Sequence, residues 1–347
     1  MDFKEDTARN IDRVVTVFAG LGDDRTFLVQ LYETASKLLD GAPVSLSAAE
    51  RLIDNVKAGD NVFIVCDFAA LPNFPFGESD GPPGAASLAR AIRLGLNALP
   101  IVIAGSMGLH SLRRTVRAAG LNILGHREAK EMTTAVATEV VFPCVAKEES
   151  KKIASTMIEE YEPKAVISVE TVGPNRKGVK HNENGYDIEV GGILPRLECL
   201  FDEASARNIL SIGCIDLGNE IGSGALETTV RRVTQYGDVC CCPCGSGIAC
   251  TVGTDIVFPA SMSNWAAYAI TAMIGYLLDK PQILQDEDTE RLMLEACIMA
   301  GAYDTEIGEL VTAADGVRLK GQQGLVNLLH SIVENGLARN QKNETER

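Results

Sequence analysis

Basic side chains are scarce in this sequence: 32 Lys and Arg stand against 47 Asp and Glu, a formal net charge of -15. No Lys/Arg block offsets that balance, which argues against nucleic acid and against an anionic membrane as partners. The short basic pairs Arg113-Arg114, Lys151-Lys152 and Arg231-Arg232 read as solvated helix faces. Long apolar runs are missing too. The most apolar stretch, Ala266 to Leu278, is too short to span a bilayer and reads as a buried helix. The N-terminal MDFKEDTARN lacks the basic segment and apolar run of a signal peptide. The expectation is a soluble, cytoplasmic protein whose ten cysteines are mostly reduced thiols rather than a disulfide framework. Walker loops, G-x-S-x-G elbows, H-E-x-x-H helices and kinase motifs are absent as well.

What is present is an alternation of short β-branched runs with segments of helical period, the pattern of βα units around a mainly parallel sheet. Strands are expected at Asn61–Cys66, Leu99–Ala104, Val136–Phe142, Ala165–Val169, Ile209–Cys214 and Asp255–Phe258. Helices are expected at Gly84–Leu96, Ser106–Ala119, Glu148–Tyr161, Leu194–Arg207, Leu226–Tyr236 and Met262–Leu278. The fold class is therefore α/β, a Rossmann-like three-layer arrangement. Residues 1–60 read as a helical cover, with Ser47 and Glu50 as a capping box for Ala48–Val56. Residues 61–283 form the α/β core. Residues 284–336 form a small α+β extension packed on it, with helices at Thr289–Ala300 and Gln323–Val333 around an irregular Tyr303–Leu319. Residues 337–347 are expected to fray, most of all the polar Asn340–Arg347. One connection is unusually long: Glu170 through Ile193, rich in Gly, Asn and charge, has the length of a functional lid or binding loop.

Several constellations sit where such folds place their chemistry, at the carboxyl ends of strands. In Glu78-Ser79-Asp80-Gly81-Pro82-Pro83-Gly84-Ala85 the prolines suit a first helical turn, and Gly81 and Gly84 allow tight backbone and close ligand approach. The free amides of that helix start would cradle a carboxylate or phosphate. Glu78 and Asp80 beside them would hold a metal or a substrate ammonium, unless Asp80 is simply an N-cap. Anion cradle and acidic wall together suit an amino acid. The Gly-rich loop Asp216-Leu217-Gly218-Asn219-Glu220-Ile221-Gly222 carries hard oxygen donors in Asp216, Asn219 and Glu220, fit for Mg²⁺ or Mn²⁺ or for an ammonium. It lacks dinucleotide spacing. Glu170 ends a strand, and His181 further along is either a proton shuttle or a solvated loop residue.

Cys240-Cys241-Cys242-Pro243-Cys244, with Cys250 nearby, puts five thiols in one short segment. Structural zinc normally wants two separated C-x₂₋₄-C knuckles, and only one cluster is present, so packed reduced thiols are the expectation, with a zinc or iron–sulfur metal–thiol site and redox chemistry as the alternatives. In Ser261-Met262-Ser263-Asn264-Trp265, Ser263 and Asn264 are good helix caps and Trp265 a core aromatic, with Asn264 alternatively binding substrate.

Taken in order, ESDGPPGAASLARAIRLG, VETVGPNRKGVKHNENGYDI, DLGNEIGSG, the SNW before an apolar helix, and GAYDTEIGELVTAADG resemble the C-terminal domain of the D-glutamate cyclase family over roughly Asn61 to Val333. Leu217 and Ala266 stand where that family usually has glycine. The resemblance implies a hydro-lyase that cyclises D-glutamate to 5-oxo-D-proline with loss of water. It implies a divalent cation, Mn²⁺ or Mg²⁺, held by Asp216, Glu220 or Glu78, and Glu170 or Asp80 as acceptor of the ammonium proton. Asp216 and His181 complete the catalytic candidates; Gly81, Gly84, Asn219, Ser263 and Asn264 are the substrate-binding ones. The partner is then a small acidic amino acid, and self-association into a homo-oligomer is left open. The other reading is a domain of the same fold that binds a nucleotide or small carboxylate, with a different chemistry or none.

Overall fold

The computed structural model describes residues 3–19, 26–70, 73–190, 192 and 194–345. Three helices lead the chain: α1 (Phe3–Val15), α2 (Thr26–Leu38) and α3 (Val44–Asn55). The alternation then runs β1 (Asn61–Asp67), α4 (Pro82–Arg90), β2 (Leu99–Ala104), α5 (Gly108–Ala118), β3 (Asn122–Ile123), α6 (His126–Glu131), β4 (Val136–Val141), α7 (Lys147–Tyr161) and β5 (Ala165–Thr171). It continues through α8 (Glu198–Ala206), β6 (Leu210–Ile215), α9 (Glu227–Val233), β7 (Ile256–Pro259) and α10 (Ser263–Leu277). Helix α11 (Glu287–Met299), a two-residue antiparallel pair β8 (Ala313–Ala314) and β9 (Val317–Arg318), and the long α12 (Leu319–Thr345) close the described chain.

Strands β1 to β7 form one parallel sheet in the order β3-β4-β2-β1-β5-β6-β7. Every residue of β1 and β5 is buried, which is why these strands read as unbroken apolar runs rather than alternating ones. Successive side chains still point to opposite faces. Val62, Ile64 and Cys66 of β1 join a core made with α1, α3, α4, α5, α10, α11 and α12, whereas Phe63 and Val65 join a second core with α7 and α8. The chain winds outward from β1 through β2 in one direction and through β5 in the other. The switch point between β1 and β5 opens at the carboxyl ends of the strands, where parallel sheets of this kind bind ligands.

Several local expectations are corrected. The Ser47 capping box does not form: α3 starts at Val44, and Asp12 of α1 caps it instead, accepting from the amides of Val44 at 2.7 Å and Ser45 at 3.3 Å. Ser47 Oγ donates back to the Pro43 carbonyl. The helix expected to run unbroken to Leu96 turns π-helical over Ala91–Gly95. The tail expected to fray is helical to Thr345, because α12 lies on α1 and α10 with Gly336 against Thr7 and Tyr276, and Asn340 donates to the Tyr276 hydroxyl at 2.8 Å. Ile193 and the last two residues of that tail lie outside the described residues. No helix among the described residues is long and apolar enough to cross a membrane.

Candidate active site

Strand β5 carries an irregularity at its carboxyl end. Val65 of β1 pairs with Ser168, but Asp67 pairs with Thr171, so β5 holds one extra residue there. Such a bulge re-aims the side chain it displaces. Glu170 sits in it with φ of +45°, a left-handed conformation that costs a non-glycine residue about 1 kcal/mol and tends to be kept where function needs it. The bulge turns the buried Glu170 carboxylate toward the start of α10, where Ser263 Oγ lies 2.7 Å from Glu170 Oε2 and 2.9 Å from the Cys214 carbonyl oxygen. A protonated Glu170 can donate to that hydroxyl while the hydroxyl donates to Cys214. The arrangement is satisfied in either charge state.

Two helix starts meet beside it and cap one another. The Asp80 carboxylate accepts from the amides of Ser263 at 2.7 Å and Asn264 at 2.8 Å at the head of α10, and from Gly81 at 3.0 Å. Asn264 returns the favour to α4: its Oδ1 accepts from Gly81 at 3.0 Å and Gly84 at 2.6 Å, and its Nδ2 donates to the Ser79 carbonyl at 3.1 Å. The anion cradle expected at Gly81 and Gly84 is thus filled by the chain's own Asn264, and Asn264 serves the fold at this point. Gly81 is required twice over. Its φ is +103°, and a Cβ there would lie 2.9 Å from both Cys66 Sγ and Glu170 Cβ. Trp265 is a core aromatic, its indole N–H donating to Gln322 at 2.7 Å.

The loop after β6 is folded by Glu220. Its carboxylate accepts from the amides of Asp216 and Leu217, both at 2.8 Å, and of Gly218 at 2.6 Å. Accepting from three amides, Glu220 shapes the loop, and the group of acids whose oxygens converge on one point is Asp80, Glu170 and Asp216 rather than one with Glu220. Asn219 also faces its own chain, donating to the His181 carbonyl at 2.9 Å. The product of this folding is Asp216, projected into the space beneath Glu170.

Asp80, Glu170 and Asp216 each bring an oxygen to a common point, all within 4.8 Å of one another. Like charges this close in a dry site cannot all ionise freely. Burial, then Asp216, pushes the Asp80 carboxyl up to about 7. Burial, then Asp216 and Glu220, holds Glu170 well above the ordinary carboxylate range. Burial and Asp216 lift Glu220 to about 8 against the amides that favour its charge. Glu78, buried alongside and hydrogen-bonded by the Thr305 hydroxyl at 2.9 Å, is raised by burial and by Asp80. Among the described residues, no Lys, Arg or His lines the cleft formed by Glu78, Glu170, Glu183, Asp216, Glu306 and Asp315. A hard divalent cation fits this donor set, since carboxylate oxygens suit Mg²⁺, Mn²⁺ or Ca²⁺.

The cleft floor has about 20 Å³ of free space, enough for one water or ion. It shares Phe68, Glu183 and Thr305 with a hollow of about 270 Å³, walled by Asn182 to Ile188 of the long loop and by Asn73 and Phe74. The long connection after β5 therefore builds one wall of the approach. A larger hollow of about 420 Å³, near Lys164 and Arg207, opens at the amino ends of β5 and β6, the opposite edge of the sheet.

The sequence-derived candidates thus separate into groups. Asp80, Glu170, Asp216 and Glu78 come together; Gly81, Gly84, Asn219, Glu220 and Asn264 hold the scaffold around them; Ser263 touches Glu170. His181 lies with Cys240, Cys242 and Cys244 rather than in the cleft, its imidazole pushed down by burial. Thr305, Glu306 and Asp315 were not singled out as candidates, although they belong to the GAYDTEIGELVTAADG stretch that closes the motif order. That segment crosses over the cleft because Tyr303 pairs with Glu78 and its carbonyl accepts from the Ser79 amide at 2.7 Å.

Comparison with known proteins agrees with the motif order. A segment of 114 residues is 32% identical to human mitochondrial D-glutamate cyclase, covering 33% of this chain and 17% of that protein. The chain thus matches about a sixth of that relative's length. The probable sor operon regulator of Shigella flexneri aligns over 67% of this chain and 92% of its own at 15% identity, with a TM-score of 0.25 that is too low to bear on fold or function. Residues 31–330 match the family described as D-glutamate cyclase-like, C-terminal, and with most of its length so matched the protein belongs to the D-glutamate cyclase-like family.

Proposed function

We propose that this protein is a lyase that cyclises D-glutamate to 5-oxo-D-proline with release of water, assisted by a divalent cation. Family membership and the convergence of three buried carboxylates at the switch point of the sheet support this reading, and the convergence carries it. An amino acid with two carboxylates would be repelled by this wall alone. A cation held by Asp80 and Asp216 would neutralise the wall and polarise the γ-carboxylate.

The chain's own residues supply the proton traffic. The α-amine must lose a proton before it attacks the γ-carbon, and the C–N bond forms as a C–O bond breaks and the oxygen leaves as water. Both oxygens of Asp80 meet backbone amides, whereas Glu170 meets a hydroxyl, which can reverse its donor role. Glu170, held above its ordinary range by burial, takes in turn the two protons the nitrogen sheds, one before attack and one after the C–N bond forms, and passes each to the departing oxygen, which leaves as water. Ser263 keeps its carboxyl oriented through the transfer. The wall from Asn182 to Ile188 would fold the substrate so that amine and carboxyl lie in attack range.

Incubation of the protein with D- or L-glutamate, with and without Mn²⁺ or Mg²⁺, tests this, following by mass spectrometry a product lighter by one water. Enzyme-dependent 5-oxoproline from the D-isomer, abolished in Glu170→Gln, is expected. No product above the spontaneous rate from either isomer with either metal refutes it.

A further inference from the structure

We propose that Cys240, Cys242, Cys244 and His181 bind one zinc ion, which staples the irregular segment after α9 to the long loop after β5. The four ligand atoms lie within 4.8 Å of one another. His181 Nε2 is 3.2 Å from Cys242 Sγ and 3.6 Å from Cys244 Sγ; Cys240 Sγ is 3.6 Å from Cys242 Sγ and 3.3 Å from Cys244 Sγ. Tetrahedral zinc, with bonds of about 2.3 Å to sulfur and about 2.0 Å to nitrogen, separates its ligands by about 3.5 to 3.8 Å. The sulfurs are well beyond the roughly 2.05 Å of a disulfide. Three thiols and one imidazole make a closed Cys₃His set with no position left for substrate, the mark of a structural site.

The surroundings fit the same ion. His181 is fully buried, its Nδ1 lacks a hydrogen-bond partner of good geometry, and the polar side-chain atoms its Nε2 meets are the sulfurs of Cys242 and Cys244. Thiolates at zinc are stabilised by N–H donors, and two are present: the Cys244 amide at 3.4 Å from Cys242 Sγ, and the buried Asn175 Nδ2 at 3.4 Å from Cys244 Sγ. Between Val233 and Ile256 the chain has neither helix nor strand, an unusual length of irregular backbone inside a compact domain. A cross-link is what such a segment lacks. The site also touches the cleft: Asn219, which lines it, donates to the His181 carbonyl at 2.9 Å, and the Cys241 amide donates to Gly185 at 2.9 Å in the loop that walls the approach.

The zinc knuckle rule misses this site because the cysteines are spaced C-x-C-x-C and the fourth ligand lies about sixty residues upstream, in a loop whose path only the fold reveals. The inference does not depend on the proposed cyclase activity. Its test is elemental analysis of the full chain purified without chelator and dialysed against Mg²⁺. One zinc per chain is expected, retained in Cys241→Ser and in Asp216→Asn but lost in Cys242→Ser. Reconstitution with Co²⁺ should give the visible absorption of a tetrahedral cobalt thiolate, a readout that stands even where Cys242→Ser fails to fold. Zinc below about 0.1 per chain after growth in zinc-supplemented medium, iron in its place, a Cys240–Cys244 disulfide in the intact mass, or zinc retained by Cys242→Ser would each overturn the proposal.

Discussion

Replacing Asn264 by alanine removes the side chain that holds the head of α4. Three hydrogen bonds vanish, to the amides of Gly81 and Gly84 and from Nδ2 to the Ser79 carbonyl, all at a site where Asn264 is 1% exposed. Each stranded buried group costs about 1–3 kcal/mol, and the cavity left behind lets some relaxation or water offset part of it, so a loss of about 4 kcal/mol is expected. Unfolding entropy near 2.1 cal/mol/K per residue, over 347 residues, converts 1 kcal/mol to about 1.4 °C, which places the fall in Tm at about 5 °C. Calorimetry or circular dichroism at fixed pH reads it. Asn264→Asp separates bonding from bulk, because it keeps both accepted bonds but adds a carboxyl against Asp80. At pH 5 Asp80, raised to about 7, carries its own proton, so the added carboxyl meets no like charge there and the Tm should fall little. At pH 8 it must ionise beside Asp80, and the loss should approach that of the alanine variant. A fall below about 2 °C for Asn264→Ala, or equal losses for both variants at pH 5, would refute the reciprocal-capping argument.

Other expectations follow from the same geometry. Asp216→Asn should abolish cation binding: at Mn²⁺ a hundredfold above its Kd the unaltered protein gains about 2.7 kcal/mol, or about 4 °C in Tm, and the variant less than about 1 °C. Gly81→Ala forces a Cβ within 2.9 Å of Glu170 Cβ at a φ of +103°, so a loss of about 3 kcal/mol in urea unfolding should accompany loss of turnover. Glu290 of α11, bonded to Tyr268 and Gln285, is pushed up to about 7 by burial, against those bonds. An acid raised on folding contributes its stability in full below its unfolded value near 4.5 and loses it as pH climbs to 7. Glu290→Gln should therefore exceed the unaltered protein by less than about 1 kcal/mol at pH 5 and by about 3 kcal/mol at pH 8, and equal stabilities at pH 8 would sink that account.

What the sequence displays is local, and the errors mark where locality ends. The run NVFIVC announces β1 because a strand buried on both faces needs apolar residues at every position, and Asp216 and Glu170 announce themselves as acids at strand ends. Strand β3 spans two residues and is set only by its pairing with β4, so no run could reveal it. The Ser47 box was chemically sound and lost to Asp12, a carboxylate on another helix whose position depends on how α1 packs. The same limit governs the site. Asp80, Glu170 and Glu220 are equally plausible bases or ligands on paper, since each is an acid in a Gly-rich context. What separates them is which groups already occupy their oxygens. Glu220 is committed to three amides of its own loop, Asp80 to amides reached across more than 180 residues of chain, and Glu170 to a single hydroxyl that can turn around. Residue type places a carboxylate at the right end of the sheet, but only the packing of α4 against α10 and the bulge in β5 decide which carboxylate is left able to exchange a proton.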